Sequence, residues 1–399
     1  MAKFPDPRSE FRQIFGGGGE IQVLAVPGRV NLIGEHVDYH GLPVLPIAIE
    51  RRVRLAWRRR DDRIIRAVSS EPYGPREFAW TADLAPVAAG DWQNYLRAAA
   101  RTVSGKWSIE VGIDAVVRSD LPAAAGLSSS TALLVAFTLA LLRANGHSPS
   151  FEELMEVLPE GEQFVGTRGG GMDHAAVLAS RAGGASLIHF DPVSLRPIPI
   201  PADWGFLVAH SLVSAEKSGA VKEQYNSRRR AGTAALGRLG FRSYREAIEG
   251  RTFEQLSKLA AERLDSESER NAFLHVSGEA LRVRAAVSAM ERGDAGEFGV
   301  LLGQSHQSLR DLLQVSCPAL DQLAEAAVES GAAGARLTGA GFGGCVVVFC
   351  EKRHRAEVRR GLIERYYAER PDFEEDRHLL DADPGPGVLY QEQHAASYD

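Results

Sequence analysis

Glycine-rich segments that separate strand-like from helix-like patterns constrain the fold of this chain most strongly. The clearest of them, LPAAAGLSSST at residues 121–131, follows an alternating stretch at residues 109–117 and leads into the apolar run at residues 131–142. This order predicts a strand, a loop and a long helix, and Gly126 in the loop allows close approach to the backbone. The serines offer cap oxygens beside the free N–H groups of the helix start. The segment therefore indicates a phosphate site, with an ordinary serine-rich helix cap as the alternative.

The phosphate interpretation does not depend on a common nucleotide motif. No lysine follows Gly126 as in the G-x-x-x-x-G-K-[ST] loop, no G-x-G-x-x-G sequence opens the helix, and the protein-kinase H-R-D and D-F-G signatures are missing. Serine hydroxyls at a helix start can nevertheless ligate a magnesium ion that bridges nucleotide phosphates. The segment is therefore a candidate for holding phosphates through backbone and hydroxyl groups.

A second segment, PGRVNLIGEHVDYHG at residues 27–41, concentrates polar and charged side chains. Within ten of its positions lie Arg29, Glu35, His36 and Asp38. Carboxylate and imidazole groups at this density suit recognition of a polyol, because each can hydrogen-bond sugar hydroxyls. The alternative is a polar loop with surface ion pairs.

Two further glycine-rich segments follow. In GTRGGGMD at residues 166–173, Asp173 comes just after a glycine run, where a carboxylate can face a ligand that approaches the backbone; the alternative is that Asp173 caps the next helix. LTGAGFGGC at residues 337–345 is typical of a backbone nest or tight turn between strands, with a plain glycine-rich hairpin as the alternative. Twelve of the 40 glycines lie in these four segments, which leaves 28 among 399 residues, the usual background of about 7%.

Composition and charge argue against several other classes of protein. The formal net charge of −6 does not favour nucleic acid, for which a basic field should dominate affinity. The longest apolar run, residues 131–142, is too short for a bilayer, which needs about 20 residues, and the N-terminal MAKFPDPRSEF lacks the apolar core of a signal peptide. The cysteines at 317, 345 and 350 form no C-x-x-C pair, so neither a disulfide framework nor a zinc site is expected. We expect a cytoplasmic enzyme of small metabolites, without nucleic-acid or membrane partners.

Apolar patterning predicts mostly strands in the first half of the chain and mostly helices in the second. Strands are predicted at residues 21–26, 44–49, 53–57, 109–117, 186–190, 206–210, 335–337 and 345–350. Helices are predicted at residues 131–142, 151–164, 173–181, 220–239, 252–263, 271–292, 295–313 and 353–368. PIPIP at 197–201 suits an extended linker, and a last short strand is expected at 388–390. These elements predict an α+β fold with two lobes, divided into domains at residues 1–200 and 201–399.

Three of the segments, taken together and in this order, resemble those of the GHMP small-molecule kinases. PGRVNLIGEHVDYHG is similar to the galactokinase signature, LPAAAGLSSST to the ATP loop of the family and LTGAGFGGC to its third motif. GGGMD and the WQNY sequence at residues 92–95 also match galactokinase-type patterns. The resemblance extends over about residues 20–390. It implies a two-lobed GHMP kinase fold with the active site between the lobes, and MgATP-dependent phosphorylation of an aldohexose at its anomeric hydroxyl.

The resemblance also implies roles for individual residues. It implies that Asp173 is the catalytic carboxylate and that Arg29 is its partner near the C1 oxygen. The implied sugar-binding residues are Glu35, His36, Asp38, the backbone of Gly170 and Tyr225. The implied nucleotide-binding residues are Trp92 at the adenine and Gly126, Leu127, Ser128, Ser129 and Ser130 at the phosphates. Ser129 and Glu162 match the magnesium ligands, so that ATP and Mg²⁺ are the expected cofactors, bound to a monomer.

Elementary electrostatics supports the first of these roles. Phosphoryl transfer depends mostly on positioning and on neutralisation of charge. Arg29 beside Asp173 would lower the pKa of that carboxyl and make it a weaker base, while stabilising a developing alkoxide. We therefore expect both residues to act, with late removal of the acceptor proton.

Departures from the galactokinase pattern leave the sugar open. His174 stands where galactokinases usually have glutamine, and residues 167–171 lack the cysteine and proline common there. These residues and EHVDYHGLPVLPIAIE are more similar to the N-acetylgalactosamine kinase branch, in which the glycine run would make room for a 2-acetamido group. Tyr225 is instead typical of galactokinases. Galactose is the predicted acceptor, with N-acetylgalactosamine or a related sugar such as galacturonate as alternatives.

Two more distant alternatives make different predictions. A non-catalytic sensor of sugar and ATP should have lost phosphate-loop or catalytic residues, whereas Arg29, the 126–130 segment and Asp173 are all present. A GHMP kinase for an isoprenoid alcohol or homoserine would usually lack the cluster of Glu35, His36 and Asp38.

Overall fold

The computed structural model describes residues 6–70, 72–81, 83–122, 126–166, 169–214 and 219–391. Parts of two glycine-rich segments, residues 123–125 and 167–168, lie outside the described residues. Within the described ranges, no helix combines the length and the apolar character needed to cross a membrane.

Helices make up much of the chain, and the longest of them lie in its second half. They are α1 (Pro7–Phe15), α2 (Gln93–Ser104), α3 (Ser129–Ala144), α4 (Phe151–Phe164), α5 (Met172–Ala179), α6 (Gly219–Arg238), α7 (Tyr244–Ile248), α8 (Phe253–Arg263), α9 (Glu267–Arg292), α10 (Ala295–Asp311), α11 (Pro318–Glu329), α12 (Arg355–Leu362) and α13 (Glu375–His378). A single π-helical turn, Ile363–Tyr367, continues α12.

The strands are β1 (Gln22–Ile33), β2 (Leu45–Arg59), β3 (Ile64–Val68), β4 (Pro75–Ala79), β5 (Ile113–Ser119), β6 (Gly184–His189), β7 (Ser194–Pro199), β8 (Trp204–His210), β9 (Gly334–Thr338), β10 (Cys345–Glu351) and β11 (Leu379–Asp381). They form a five-stranded sheet in the order β1-β2-β5-β3-β4, a four-stranded sheet in the order β11-β8-β10-β9 and the hairpin β6-β7. Only β3 and β5 pair in parallel; every other pair is antiparallel among the described residues.

Helices pack against these sheets through buried apolar side chains. Helix α3 is apolar on almost every face and mostly buried, as expected for a helix in a protein interior, and it packs on α2 and on β1 and β2. Strand β10 is buried on both faces. Its Val347 and Phe349 face the main core, whereas Val346 and Val348 face a second core that includes residues of α11 and α12.

The predicted α+β fold is confirmed, and α4 spans the residues predicted for it, 151–164. This helix begins with a capping box in which Ser150 and Glu153 satisfy each other's backbone N–H groups. Apolar patterning does not predict several shorter elements, namely α1, α2, α7, α11, α13, β3, β4 and β11. Most of these are short or lie at an edge, where the apolar signal is weak.

The strand predicted at residues 21–26 ends too early, because β1 continues through Pro27 and Gly28 to Ile33. A register shift between Pro27 and Arg29 forms a bulge there, which accommodates a residue that has no N–H to donate. A Cβ on Gly28 would lie 2.8 Å from the backbone oxygen of Leu127, so close packing requires glycine. Arg29 therefore projects from a strand and not from a flexible turn.

The linker predicted at residues 197–201 and the strand predicted at residues 388–390 are also wrong. The predicted linker at 197–201 is largely part of β7, which pairs with β6; as an edge strand, β7 tolerates prolines that cannot donate. Residues Val388–Tyr390 form a 3₁₀ turn, closed by Tyr390 N donating to Gly387 O at 3.1 Å, and not a strand. The edge of β8 that could have accepted a strand is occupied by β11. The division of the chain at residue 200 stays a prediction.

Candidate active site

Arg29 and Asp173, which are 144 residues apart in the chain, form an ion pair. Arg29 Nε and Nη2 both lie 2.7 Å from Asp173 Oδ1. Burial alone would raise the pKa of Asp173, but the charge of Arg29 and the hydrogen bonds from Ser128 and Arg29 lower it below the usual value. Because the Asp173 side chain is 25% exposed, the structure presents an ionised and accessible carboxylate.

Asp173 does not act as the cap of α5, which was the alternative explanation for its position. The N-cap residue of α5 is Gly171, at a φ of 99°, and within the described ranges no side chain makes a capping bond there. The second oxygen of Asp173 accepts a hydrogen bond from Ser128 Oγ at 2.6 Å. Ser128 lies directly before α3 in the left-handed conformation, with a φ of 57°. Its hydroxyl therefore holds Asp173, and no side chain among the described residues caps the first-turn N–H groups of α3.

The 121–131 segment packs directly against the 337–345 segment. Gly126 has a φ of +74°, and a Cβ there would lie 3.0 Å from Thr338 O, so this approach requires glycine. The carbonyl of Gly126 accepts a hydrogen bond from Arg29 Nη1, and the carbonyl of Leu127 accepts one from Arg29 N at 3.2 Å. The side chain of Leu127 is buried in the core. Only the backbone of Leu127 is therefore available to a nucleotide.

Glu35 lies deeper than its neighbours in the 27–41 segment and is 2% exposed. Its Oε2 accepts hydrogen bonds from Arg336 Nη2 at 2.8 Å and from Asn31 Nδ2, and its Oε1 accepts one from Gly339 N at 2.6 Å. A carboxylate offers about four acceptor positions. These contacts therefore leave room for about one further donor, such as a sugar hydroxyl.

Asp38 and Gly170 form a second contact between distant segments. Gly170 N donates to Asp38 Oδ2 at 3.0 Å, and a Cβ on Gly170 would lie 2.5 Å from Asp38 C. Burial, together with the charge of Asp173, raises the pKa of Asp38 to about 6. The residues expected to bind a sugar thus lie beside the residue expected to act on it.

Aromatic rings enclose the same space. The ring centroid of Tyr225, on α6, lies 5.1 Å from that of His36 and 5.7 Å from that of Tyr39. Burial lowers the pKa of His36 to about 3, so its ring is neutral. His36 Nε2 therefore donates to Ala340 O at 3.2 Å, and Nδ1 accepts from Tyr39 OH at 3.0 Å. The structure brings together the sugar-binding residues that the sequence predicts, although both ring nitrogens of His36 already have protein partners.

Ser129 and Glu162 were predicted as magnesium ligands, and their surroundings fit a hard cation. Glu162, in the last turn of α4, accepts a hydrogen bond through Oε1 from Thr131 Oγ1 at 2.6 Å. Ser129 and Thr131 both lie in the first turn of α3, so the Glu162 carboxylate contacts the helix turn that carries Ser129. Mg²⁺ prefers such oxygen ligands, supplemented by phosphates and water. The donor set therefore suits the ion.

Trp92, the residue predicted to contact adenine, is buried in the structure. Trp92 is 6% exposed, and its Nε1 donates to Tyr73 O at 3.0 Å. Tyr95, one turn later on α2, makes a side-chain hydrogen bond with Ser130. Helix α2 thus contacts the start of α3, but Trp92 itself belongs mainly to the core. Its contact with adenine stays a prediction.

Sequence patterns did not predict the buried polar residues of α9 and β9 that contact the 27–41 segment. Glu279 and His275 of α9 are buried and contact the backbone around Glu35, and Arg336 of β9 contacts its carboxylate. A signal was available, because His275 and Glu279 occupy positions within the mostly apolar buried stripe of α9. A polar residue in such a stripe requires buried partners.

Three families match successive parts of the chain. Residues 9–59 match the galactokinase galactose-binding signature, residues 94–181 the GHMP kinases N terminal domain, and residues 286–368 the GHMP kinases C terminal domain. The first match includes the predicted sugar segment, and the second includes both the phosphate segment and Asp173.

Known proteins match over almost the full length. A galactokinase from Roseiflexus sp. (strain RS-1) is 35% identical over 90% of this chain and 91% of that protein, and one from Pasteurella multocida (strain Pm70) is 31% identical over 95% and 97%. The crystal structure of Lactococcus lactis galactokinase complexed with galactose has a TM-score of 0.84 at 26% identity, covering 95% of this chain and 97% of that one. Methanococcus jannaschii mevalonate kinase shares the fold, with a TM-score of 0.65 at 16% identity over 92% and 99% of the two chains. The chain therefore belongs to the GHMP kinases, and within them to the galactokinase branch.

Proposed function

We propose that this chain transfers the γ-phosphoryl group of ATP to the anomeric hydroxyl of galactose. The observation that carries the proposal is the accessible Asp173 carboxylate, which accepts hydrogen bonds from Arg29 and Ser128. Its charge also contributes to the raised pKa of Asp38. Such an arrangement can hold an acceptor hydroxyl between the predicted sugar segment and the predicted phosphate segment. Galactokinases are the relatives that support galactose as the acceptor.

Asp173 is proposed to receive the proton of the acceptor hydroxyl. Arg29 lowers the pKa of Asp173, so this carboxylate is a weak base toward an unreacted alcohol. The hydroxyl becomes more acidic as its oxygen bonds to phosphorus, and the proton then moves to Asp173 late in the reaction. Meanwhile the Arg29 guanidinium stabilises negative charge on that oxygen.

The phosphate side is assigned to Gly126, Ser128, Ser129 and Ser130, with Ser129 and Glu162 as holders of Mg²⁺. When bound, the metal would neutralise phosphate charge and orient the transferring group. The uncapped N–H groups at the start of α3 add a positive partial charge at the same place. Glu35, His36, Asp38, Gly170 and Tyr225 are assigned to the sugar.

The glycine run at 169–171 does not favour an acetamido-sugar as the acceptor. A Cβ on Gly170 would meet Asp38 at 2.5 Å, and one on Gly171 would meet Met155 Cε at 3.3 Å. These glycines therefore mark close packing between protein segments and not additional room for a substituent at C2. This packing removes the glycine run as an argument for N-acetylgalactosamine.

Turnover with MgATP across a panel of sugars tests the proposal. We expect the highest kcat/KM for galactose, ahead of N-acetylgalactosamine, galacturonate, glucose and arabinose, with a 1-phosphate as the product identified by phosphorus NMR. A clear preference for another sugar would reassign the acceptor, and binding of galactose and ATP without turnover would instead indicate a sensor. A cytoplasmic, monomeric enzyme stays our prediction, which cell fractionation and light scattering can check.

A further inference from the structure

We infer that Glu279 and His275 of α9 form a clamp that holds the backbone of Gly34 and Glu35 in the conformation that binds the sugar. Both are positioning residues, because they contact the backbone of the 27–41 segment and not the reacting groups. Their effect on catalysis depends on the proposed function, whereas their effect on the backbone does not.

Glu279 provides the acceptor side of the clamp. Its Oε1 accepts hydrogen bonds from Gly34 N at 2.9 Å and from Glu35 N at 3.3 Å. Ser305 Oγ of α10 donates to the same oxygen at 2.6 Å, and Arg282 donates to Oε2 at 2.8 Å. The Glu279 side chain is fully buried. A buried carboxylate with this many donors is held in one orientation, because losing any of them leaves charge uncompensated.

His275, one helical turn before Glu279, provides the donor side. Burial lowers the pKa of His275 to about 4, so the ring is neutral. A carbonyl can only accept, so Nε2 donates to Glu35 O at 3.0 Å, and Nδ1 accepts from Ser308 Oγ at 2.9 Å. The spacing of four residues places the imidazole and the carboxylate on the same face of α9. Together they bind both the N–H and the carbonyl of Glu35.

The backbone they hold has an irregular conformation. Gly34 has a φ of +100°, and His36 has a φ of +60°, which is uncommon for a residue other than glycine. A Cβ on Gly34 would lie 3.0 Å from both Val44 Cα and Val283 Cγ2, so the segment packs closely against α9. Such conformations persist only where the surroundings over-determine them. Without the clamp, the Gly34 and Glu35 amides would be buried and unpaired.

The clamp lies on the sugar side of the site, and this location makes its effect selective. Glu35 and His36 are proposed sugar-binding residues, and the clamped peptide groups are their own. In the described chain, the predicted phosphate residues Ser128, Ser129 and Ser130 form no hydrogen bond with either clamp residue. Loss of the clamp should therefore weaken sugar binding and leave nucleotide binding unchanged.

Glu279→Gln tests this inference, with Glu291→Gln on the same helix as the matched control. We expect the KM for galactose to rise about tenfold or more in Glu279→Gln, as for loss of hydrogen bonds to a charged group, while the KM for ATP changes less than about twofold. Hydrogen–deuterium exchange of the unliganded protein should become faster in the peptide covering residues 33–37. Glu291→Gln, at an exposed pair with Arg196, should change neither measurement.

The outcomes separate the two proposals. Absence of galactose turnover in the wild type would overturn the proposed function, and the exchange measurement would still judge the clamp. Unchanged exchange at residues 33–37 and an unchanged KM for galactose would overturn the clamp, as would equal changes in both KM values. If Glu279→Gln does not fold, His275→Gln replaces it with the same expected selectivity. This substitution changes the bonds to the Glu35 carbonyl and to Ser308 but removes no buried charge.

Discussion

Two arginine–carboxylate pairs lie at the base of the site, and they differ in accessibility. Arg336 and Glu35 are 0% and 3% exposed in their side chains, whereas Arg29 and Asp173 are 6% and 25% exposed. The Glu35 carboxylate also accepts hydrogen bonds from two other protein donors. In contrast, Oδ2 of Asp173 accepts a hydrogen bond from Ser128 alone among the described residues. The same chemical pair thus appears once fully inside the protein and once with a partly exposed carboxylate.

This difference indicates a division of roles. A fully buried pair fixes the segments that carry it, because separating the charges leaves one of them unpaired at low dielectric. Arg336 also donates to the carbonyls of Asn31 and Leu32, so it joins β9 to β1. A partly exposed pair can exchange protein partners for ligand groups. We therefore expect substitution at the buried pair to affect stability most and substitution at the open pair to affect turnover most.

Asp173→Asn is expected to have the largest effect. The amide cannot accept the proton of the acceptor, so kcat should fall about 10³-fold or more, while MgATP binding stays near the wild-type value. Steady-state kinetics and nucleotide titration measure both. Asp203→Asn, at an exposed position, is the matched control, and a kcat for Asp173→Asn within tenfold of the wild type would contradict the assignment of the open pair to catalysis.

Arg336→Met compared with Arg29→Met tests the division directly. Removing Arg336 leaves Glu35 buried without its cation and should lower the free energy of unfolding by about 3–5 kcal/mol. Removing Arg29 leaves a carboxylate that water can reach, so the loss should stay below about 2 kcal/mol, although kcat falls strongly. Denaturant unfolding of both variants provides the measurement. Equal losses of stability would show that accessibility does not distinguish the pairs.

Gly170→Ala should have a smaller and more selective effect. The new Cβ would lie 2.5 Å from Asp38 C and 2.6 Å from Asp38 Oδ2, so the contact between the two segments must open. We expect the KM for galactose to rise about tenfold, with an unchanged KM for ATP. Gly237→Ala, where nothing lies within 4 Å of the added Cβ, controls for the substitution itself. A similar KM in both variants would mean that the Asp38 contact does not shape the sugar site.

The pH dependence of sugar use should show the smallest effect. Because the pKa of Asp38 is raised to about 6, lowering the pH from 7 to 5 protonates this residue and removes the charged acceptor of sugar hydroxyls. We expect kcat/KM for galactose to fall several-fold on the acid side, with an apparent pKa of about 6, in a pH–rate profile. Asp38→Asn should abolish this acid limb, and an acid limb that persists in the variant would belong to another group.

Local features of the fold were predictable from the sequence to different extents. Helix α4 follows from a capping signal and a periodic apolar pattern, both of which are local, and its bounds were predicted correctly. The continuation of β1 through Pro27 was not predictable, because the bulge depends on pairing with β2. The 3₁₀ turn at Val388–Tyr390 was missed for the same reason, since another segment occupies the edge of the sheet.

The candidate site shows the same limit at the level of single residues. Arg29 and Asp173 were expected to be partners through resemblance of motifs, and the structure pairs them. Glu279 and His275 were not expected, because the sequence does not reveal that their face of α9 lies behind Glu35. Ser128 was expected to bind phosphate, but its bond to Asp173 depends on a left-handed backbone that no local pattern indicates.

The sequence by itself determined the order of the segments, the chemical groups they carry and the positions of the glycines. The tertiary structure decided which carboxylate is enclosed and which one is open. Arg29 and Asp173 are 144 positions apart and Arg336 and Glu35 are 301 positions apart, so neither pairing is encoded in a local pattern. Burial and pKa depend on neighbours in space, and those neighbours exist only after the sheets and α9 have packed.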